Sequence, residues 1–189
     1  KLKPMLDIDH VQIIEDLART TAATLMYVAQ SARGEQTPVS EEHITNSKTA
    51  VERFMKRWRG EPDPKHIKAV DAYFVSAAEH GMNASTFTAR VIASTGADVA
   101  AAISGAIGAM SGPLHGGAPS RVLHMIEDIE KGIDPTTYIK KLLDSKERLM
   151  GFGHRVYRAQ DPRAKVLRRT AKELNAPRYE IAEALEKAA

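Results

Sequence analysis

Apolar positions along this chain fall in segments of helical length, each bounded by residues that typically begin or end helices. The most apolar segment is residues 99–110 (VAAAISGAIGAM), which is shorter than the about 20 residues needed to cross a bilayer. No run of alternating β-branched residues is long enough to predict a sheet. The pattern therefore predicts an all-α, multi-helical fold.

Capping residues predict where these helices begin and end. Asp9 is placed to cap a helix that stops at Gly34, and Ser40 to cap a single helix over residues 41–59. Three Asp-Pro pairs, at Asp63, Asp134 and Asp161, each put a capping carboxylate before a proline at the first helical position. The predicted helices cover residues 10–32, 41–59, 64–81, 85–94, 98–110, 118–131, 135–145 and 164–174, with Pro177 opening a last one.

Residues 86–110 are rich in Ala, Gly, Ser and Thr. Small residues allow helices to approach closely, and a helix that is apolar on all sides must be buried. The sequence leaves two interpretations of this segment open, a central core helix and a subunit interface.

Composition excludes some classes of protein and site. The 189 residues contain no cysteine, which excludes disulfides and thiolate metal sites and is compatible with a reducing cytoplasm. We expect no signal peptide, because no apolar stretch follows the basic residues at 1–3. The chain is predicted to be cytoplasmic, with no membrane partner, no metal and no permanently bound cofactor.

Positive charge is concentrated near one end of the chain. Residues 146–178 hold ten Lys or Arg and three acidic residues, a local charge of +7 within a chain of net charge +3. This asymmetry favours an anionic ligand. Nucleic acid is a weaker interpretation, because aromatics are few here and no nucleic-acid motif is present. Arg168, Arg169 and Lys172 are expected to form a solvated helix face, and Arg158 and Arg163 to serve function.

Two glycine-rich segments carry candidate chemistry. Residues 149–163 (LMGFGHRVYRAQDPR) place His154 directly after two glycines and among three arginines. Residues 111–118 (SGPLHGGA) place His115 before two glycines. Glycines let backbone approach a ligand, arginines grip carboxylates and phosphates, and imidazole serves as acid, base or donor near neutral pH. His10, His43, His66 and His124 lack such a context and are expected to be structural or exposed.

These segments, together with residues 79–90 (EHGMNASTFTAR), resemble the citrate synthase family in order and spacing. The resemblance is clear from about residue 61 onwards and looser over residues 9–60. It implies a transferase of the tricarboxylic acid cycle that condenses acetyl-CoA with oxaloacetate and hydrolyses the citryl thioester. It also implies a homodimer, with residues 1–114 in a large interface-forming domain and 115–189 in a small domain. Gly112, Gly116 and Gly117 suit either a hinge or a tight turn at that boundary.

The resemblance also implies residue roles. His115 matches the histidine that donates to the thioester carbonyl, and His154 the one that polarises the oxaloacetate carbonyl. His80 and Arg163 match oxaloacetate-binding residues, and Ser85 matches a serine that orients the thioester-binding histidine, although it could equally be a helix cap. The CoA-binding positions implied are Arg158, near the phosphates, and Leu149, Met150, Gly151, Phe152 and Gly153, whose backbone matches the turn that contacts the adenine.

One family feature is missing from the 189 residues. The family's catalytic base is an aspartate in a segment resembling N-V-D-F-Y, and no such segment occurs here. We therefore expect a piece of a longer citrate synthase that is inactive alone, with its small domain incomplete. Three alternatives stay open: 2-methylcitrate synthase using propionyl-CoA, a non-catalytic CoA- or dicarboxylate-binding protein, and a helical module whose basic end binds acidic partners.

Overall fold

A computed structural model describes residues 10–79, 81–153 and 160–189. The described residues contain helices and no strand, which confirms the predicted all-α class. The helices are α1 (His10–Arg33), α2 (Glu41–Thr45), α3 (Ala50–Arg59), α4 (Pro64–Ala77), α5 (Ala84–Ser94), α6 (Val99–Met110), α7 (Ala118–Glu130), α8 (Pro135–Asp144), α9 (Pro162–Glu173) and α10 (Tyr179–Ala188).

The three Asp-Pro pairs begin helices as predicted. Asp63 caps α4, Asp134 caps α8 and Asp161 caps α9, each with its carboxylate accepting a backbone N–H from the first turn. Asp98 caps α6 in the same way, with its Oδ1 2.7 Å from the Ala101 nitrogen. Two predicted helix boundaries are displaced by a few residues. Helix α4 ends at Ala77 rather than near residue 81, and the last helix begins at Tyr179 rather than at Pro177.

The single helix predicted over residues 41–59 is wrong, because the chain forms α2 and α3 with a break at residues 46–49. Thr49 caps α3 by accepting from the Glu52 nitrogen at 3.0 Å. The Glu52 carboxylate turns back to accept from the Lys48 nitrogen at 2.8 Å. A threonine followed three residues later by glutamate is a signal for a helix start, and it outweighs continuation of α2.

The predicted start of α5 at Ser85 is also wrong. Asn83 is the N-cap, and its side-chain oxygen accepts from the Thr86 nitrogen at 2.9 Å. Asparagine is at least as good an N-cap as serine, so the cap lies two residues before Ser85 and the helix begins at Ala84. Ser85 thus lies within the first turn, and its hydroxyl is available for other contacts.

Helices α5 and α6 pack closely against each other. A Cβ built on Gly105 of α6 would lie 2.2 Å from Ile92 Cδ1 and 3.6 Å from Thr88 Cγ2 of α5. Glycine at this position therefore permits the close approach that the small-residue composition predicts. Helix α1 packs against α3 and α6, and this group brings the start of α5 near the segment that follows α6.

A second cluster lies between α7, α8 and α10. Its buried centre is Met125, Ile139 and Leu185, each no more than 4% exposed. Helix α9 packs against α4 instead, so it bridges towards the first half of the chain. The division near Leu114 into a large and a small domain stays a prediction.

Large apolar side chains on α5 and α6 remain exposed in the single chain. Phe87, Val91, Ile107 and Met110 are between 48% and 60% exposed. The other described helices therefore do not cover these side chains, and the choice between a core helix and a subunit interface for residues 86–110 stays a prediction. Among the residues described, no helix combines the length and apolar character required to cross a bilayer.

Candidate active site

The segment after α6 holds His115 in a tight turn. The His115 nitrogen donates to the Gly112 carbonyl at 3.0 Å, and the Gly116 nitrogen donates to the Met110 carbonyl at 2.9 Å. A Cβ on Gly116 would lie 2.2 Å from that carbonyl oxygen, and a Cβ on Gly117 would lie 2.9 Å from Pro113 Cα. These two glycines therefore serve close backbone packing, which leaves the half-buried His115 ring in a defined place.

Ser85 and His115 meet across the α5–α6 pair. The Ser85 Oγ lies 2.9 Å from His115 Nε2, although the residues are 30 positions apart. Ser85 is only 6% exposed, so this contact is shielded from competing water. The hydrogen bond engages one ring nitrogen of His115 and leaves Nδ1 as the other candidate contact to a ligand.

Asn83 extends this contact and is a residue that the sequence interpretation missed. The Ser85 hydroxyl donates to the Asn83 side-chain oxygen at 2.7 Å. The same oxygen accepts from the Thr86 backbone nitrogen. Asparagine is a preferred N-cap residue, so the sequence could have identified Asn83 as the cap of α5. It could not have identified Asn83 as a neighbour of His115.

Arg163 lies at the start of α9 beside Asp161. Its Nη2 is 2.6 Å from Asp161 Oδ2, and its Nε is 3.0 and 3.1 Å from the two carboxylate oxygens. Asp161 also accepts the Arg163 backbone nitrogen as the helix cap. One edge of the guanidinium is thus held by a bidentate pair, which fixes the plane in which its other N–H groups point.

The turn at residues 149–153 places side chains inward and backbone outward. Leu149 and Phe152 pack against the Met125–Ile139–Leu185 cluster, and Met150 is buried. Gly151 and Gly153 have φ of 86° and 71°, and both are exposed. A ligand at this turn would therefore meet backbone groups rather than side chains, as the implied adenine contact requires.

Three of the predicted site residues, His80, His154 and Arg158, lie outside the described residues. Where they lie relative to His115 and Arg163 stays a prediction. The described part of the chain contains no group of three or more His, Cys, Asp or Glu side chains arranged to hold a metal ion.

Some of the basic side chains near the end of the chain are paired within the fold. Arg178 lies 2.7 Å from Glu130 and 3.9 Å from Glu127, and Arg168 pairs with Glu186 of α10. Arg168 was expected to be only solvated, but it links α9 to α10. This pairing weakens the interpretation of the basic end as a docking surface for acidic partners.

The other histidines that are described have ordinary structural surroundings. His43 Nε2 lies 3.0 Å from a Glu61 carboxylate oxygen and 3.2 Å from the Gly60 carbonyl oxygen. His124 is largely exposed and lies 3.4 Å from Glu127 on its own helix, and His66 is exposed.

Comparison with known proteins gives a consistent set of relatives. The family model described as "Citrate synthase, C-terminal domain" matches residues 5–189. The protein named "Putative citrate synthase 2" of Mycobacterium tuberculosis is 65% identical over 187 residues, which cover 98% of this chain and 50% of that protein. The citrate synthase of Synechocystis sp. is 49% identical over 132 residues, covering 67% of this chain and 33% of that one. This chain thus spans about half the length of its mycobacterial relative.

Solved structures agree with the sequence relatives. The crystal structure of citrate synthase from Thermotoga maritima superposes with a TM-score of 0.74 at 36% identity, over 92% of this chain and 49% of that chain. A citrate synthase from Thermoplasma acidophilum, solved as a ternary complex with carboxymethyl coenzyme A and oxaloacetate, superposes with a TM-score of 0.66. It is 24% identical and covers 98% of this chain and 60% of that one, so it supports the fold alone.

Proposed function

This chain belongs to the citrate synthase family, and we propose that the whole protein condenses acetyl-CoA with oxaloacetate to give citrate and CoA. The observation that carries the proposal is the 2.9 Å contact between Ser85 and His115. Ser85 and His115 come from different family motifs. The resemblance implies that this serine orients this histidine, and the contact supports that role. The reaction is an acyl transfer in the tricarboxylic acid cycle, and cytoplasmic location is part of the proposal.

The first step removes a methyl proton next to the thioester. The developing enolate oxygen needs a donor, and His115 is proposed to supply it from the ring nitrogen that Ser85 does not contact. The base in the family is an aspartate of an N-V-D-F-Y segment, which these 189 residues do not contain. The proton-abstracting carboxylate is therefore expected from another part of the whole protein.

Attack of the enolate on the keto carbon needs oxaloacetate to be held and polarised. Arg163 is proposed to bind a substrate carboxylate through its guanidinium group. His80 is proposed to bind oxaloacetate, and His154 to donate to the keto oxygen as charge develops there. Hydrolysis of the citryl thioester then releases CoA.

The CoA moiety is proposed to lie against Arg158 and the turn at residues 149–153. The exposed glycine backbone of that turn supports this placement, because Leu149 and Phe152 are already packed into the fold. No permanently bound cofactor is proposed.

The enzyme is proposed to be a homodimer through α5 and α6. The exposed Phe87, Val91, Ile107 and Met110 support this, since pairing would remove them from water. Sedimentation of the whole protein should give twice the chain mass, and Ile107→Glu should shift the species towards monomer. A monomeric wild-type protein at micromolar concentration would contradict the proposal.

Release of the CoA thiol from acetyl-CoA tests the activity. The whole protein should release thiol only when oxaloacetate is present, and propionyl-CoA should be the poorer substrate. The comparison is needed because one methylene in a pocket changes specificity by only about 1–3 kcal/mol. If propionyl-CoA gives the higher kcat/KM, the enzyme is a 2-methylcitrate synthase. Binding of both ligands without thiol release would indicate a non-catalytic binding protein.

The 189 residues alone should be far less active. Loss of general-base assistance typically costs about 10²–10⁴-fold in rate. Robust oxaloacetate-dependent thiol release by these residues alone would show that the base is misassigned.

A further inference from the structure

The turn at residues 149–153 rests on one side chain of α7. A Cβ built on Gly151 would lie 2.4 Å from Val122 Cγ2, 3.7 Å from Val122 Cβ and 3.8 Å from Val122 Cγ1. The three nearest atoms to that position thus belong to a single residue. A methyl group has no room there, so the backbone of the turn lies directly against Val122.

The other side chains of the turn anchor it to the core but leave its middle to Val122. Leu149 and Phe152 pack against the Met125–Ile139–Leu185 cluster, and Met150 is 8% exposed. Gly151 has no side chain to anchor, and its φ of 86° lies in the left-handed region. The height of the exposed backbone at Gly151 is therefore set by the half-buried Val122 beneath it.

Helix α7 makes this support rigid, because its start is fixed against the turn that holds His115. The helix begins at Ala118, and a Cβ on the preceding Gly117 would lie 2.9 Å from Pro113 Cα. Val122 lies four residues further on, a rise of about 6 Å along the helix axis. A hydrogen-bonded helix turn of that length bends little, so Val122 stays in place relative to His115.

We propose that Val122 is a positioning residue for the CoA substrate, which holds the turn at residues 149–153 in the position that contacts the adenine. The inference rests on the proposed function, which places the thioester at His115 and the adenine at this turn. A turn that is already supported loses less freedom when CoA binds than one that must be ordered by the ligand. Val122 itself needs no contact with CoA for this effect.

Calorimetric titration of the whole protein with CoA tests the inference without turnover. Val122→Ala should raise the Kd for CoA by about threefold to tenfold, short of the about hundredfold that a misplaced reacting group can cost. The Kd for oxaloacetate should stay unchanged. In steady-state kinetics, the KM for acetyl-CoA should rise while kcat at saturation changes little.

Val51→Ala is the matched control for loss of packing. It makes the same change at a valine of α3 that is 7% exposed, and it should lower the thermal unfolding midpoint without changing the Kd for CoA. Val122→Thr keeps a branched side chain of similar size and should bind CoA as the wild type does. Equal Kd values for CoA in Val122→Ala and Val51→Ala would overturn the inference.

Gly151→Ala tests the same contact from the other side. Its added methyl group should push the turn off Val122 and weaken CoA binding. Val122→Ala makes room for that methyl group, so the double variant should bind CoA more tightly than Gly151→Ala alone. A double variant whose loss equals the product of the two single losses would contradict the proposed contact.

The outcomes for the wild type separate this inference from the proposed function. CoA binding without oxaloacetate-dependent thiol release would count against the proposed function alone. A wild-type protein that releases thiol but whose Val122→Ala variant binds CoA unchanged would overturn the role of Val122 and leave the proposed function standing.

Discussion

Arg163 and Asp161 form a bidentate ion pair within two residues of sequence, with the closest contact 2.6 Å between Nη2 and Oδ2. The same carboxylate caps α9 through the Arg163 backbone nitrogen at 2.9 Å. One aspartate therefore fixes both the start of the helix and the plane of the guanidinium. A substrate carboxylate would meet an arginine that is already oriented, which reduces the entropy lost on binding.

Removal of the Arg163 side chain should weaken oxaloacetate binding. A charged hydrogen-bonding partner contributes about 1.5–3 kcal/mol, so Arg163→Ala should raise the KM for oxaloacetate by about tenfold to a hundredfold, with a smaller fall in kcat. Asp161→Asn keeps a capping side chain but loses the ion pair, and should raise the same KM by less. Steady-state kinetics of the whole enzyme measure both.

Arg158→Ala is the matched comparison, because its proposed role is at the CoA phosphates. It should raise the KM for acetyl-CoA instead. If Arg163→Ala left the oxaloacetate KM unchanged while Arg158→Ala raised it, the two assigned roles would be wrong.

Loss of the imidazole at position 115 should reduce turnover far more than stability. His115→Ala removes a donor aimed at charge that develops during reaction, and kcat should fall by about 10²–10³-fold. His154→Ala should behave similarly. The thermal unfolding midpoint of His115→Ala should change little, because the ring is only half-buried.

Ser85→Ala provides a graded control for His115. It leaves the imidazole in place and removes one neutral hydrogen bond, which contributes about 0.5–1.5 kcal/mol. The fall in kcat should therefore be no more than about tenfold. An equal loss in Ser85→Ala and His115→Ala would show that orientation, rather than the imidazole itself, limits the rate.

Gly151→Ala and Gly153→Ala should differ in stability although both positions have positive φ. The left-handed conformation costs a non-glycine residue about 1–2 kcal/mol, and both variants carry that cost. A Cβ at Gly151 would also lie 2.4 Å from Val122 Cγ2, whereas no atom in the described part of the chain lies within 4 Å of one at Gly153. Overpacking adds about 1–3 kcal/mol, so Gly151→Ala should have the lower free energy of unfolding in urea. Equal values would mean that Val122 moves aside without cost.

Stability should fall in acid partly through Glu41. A hydrogen bond from Arg57, with Nη1 2.8 Å from Oε1, holds the pKa of the Glu41 carboxyl below its ordinary value of 4.5. A lowered folded-state pKa means that the ion pair stabilises the fold above pH 4.5, and that this contribution is lost as pH falls through the folded-state pKa. Glu41→Gln should therefore lower stability at neutral pH and flatten the acid side of the urea-midpoint profile.

Glu42→Gln makes the same change of charge one residue further along α2. It should leave the acid side of the profile closer to that of the wild type. If the two variants gave the same profile, the Arg57 contact would not be the cause.

Local chemistry in the sequence determined most of the helices. Asp63, Asp98, Asp134 and Asp161 begin helices because a carboxylate satisfies backbone N–H groups that the first turn leaves unpaired. The same chemistry explains the two errors. Thr49 is an additional capping residue that begins a new helix, and Asn83 caps α5 in place of the predicted Ser85, because its side chain reaches the Thr86 nitrogen.

The motifs also identified His115, Ser85 and Arg163 as candidates, and the family resemblance implied that Ser85 orients His115, but the sequence did not give the geometry of that contact. Ser85 meets His115 because Gly105 lets α6 lie close against α5, so that the start of one helix returns to the end of the other. The hydroxyl also contacts Asn83, whose part in the site depends on three-dimensional proximity rather than on spacing. Helix caps are satisfied within a few residues and can be predicted from the sequence, whereas a hydrogen bond between residues 30 positions apart forms only once two helices have packed.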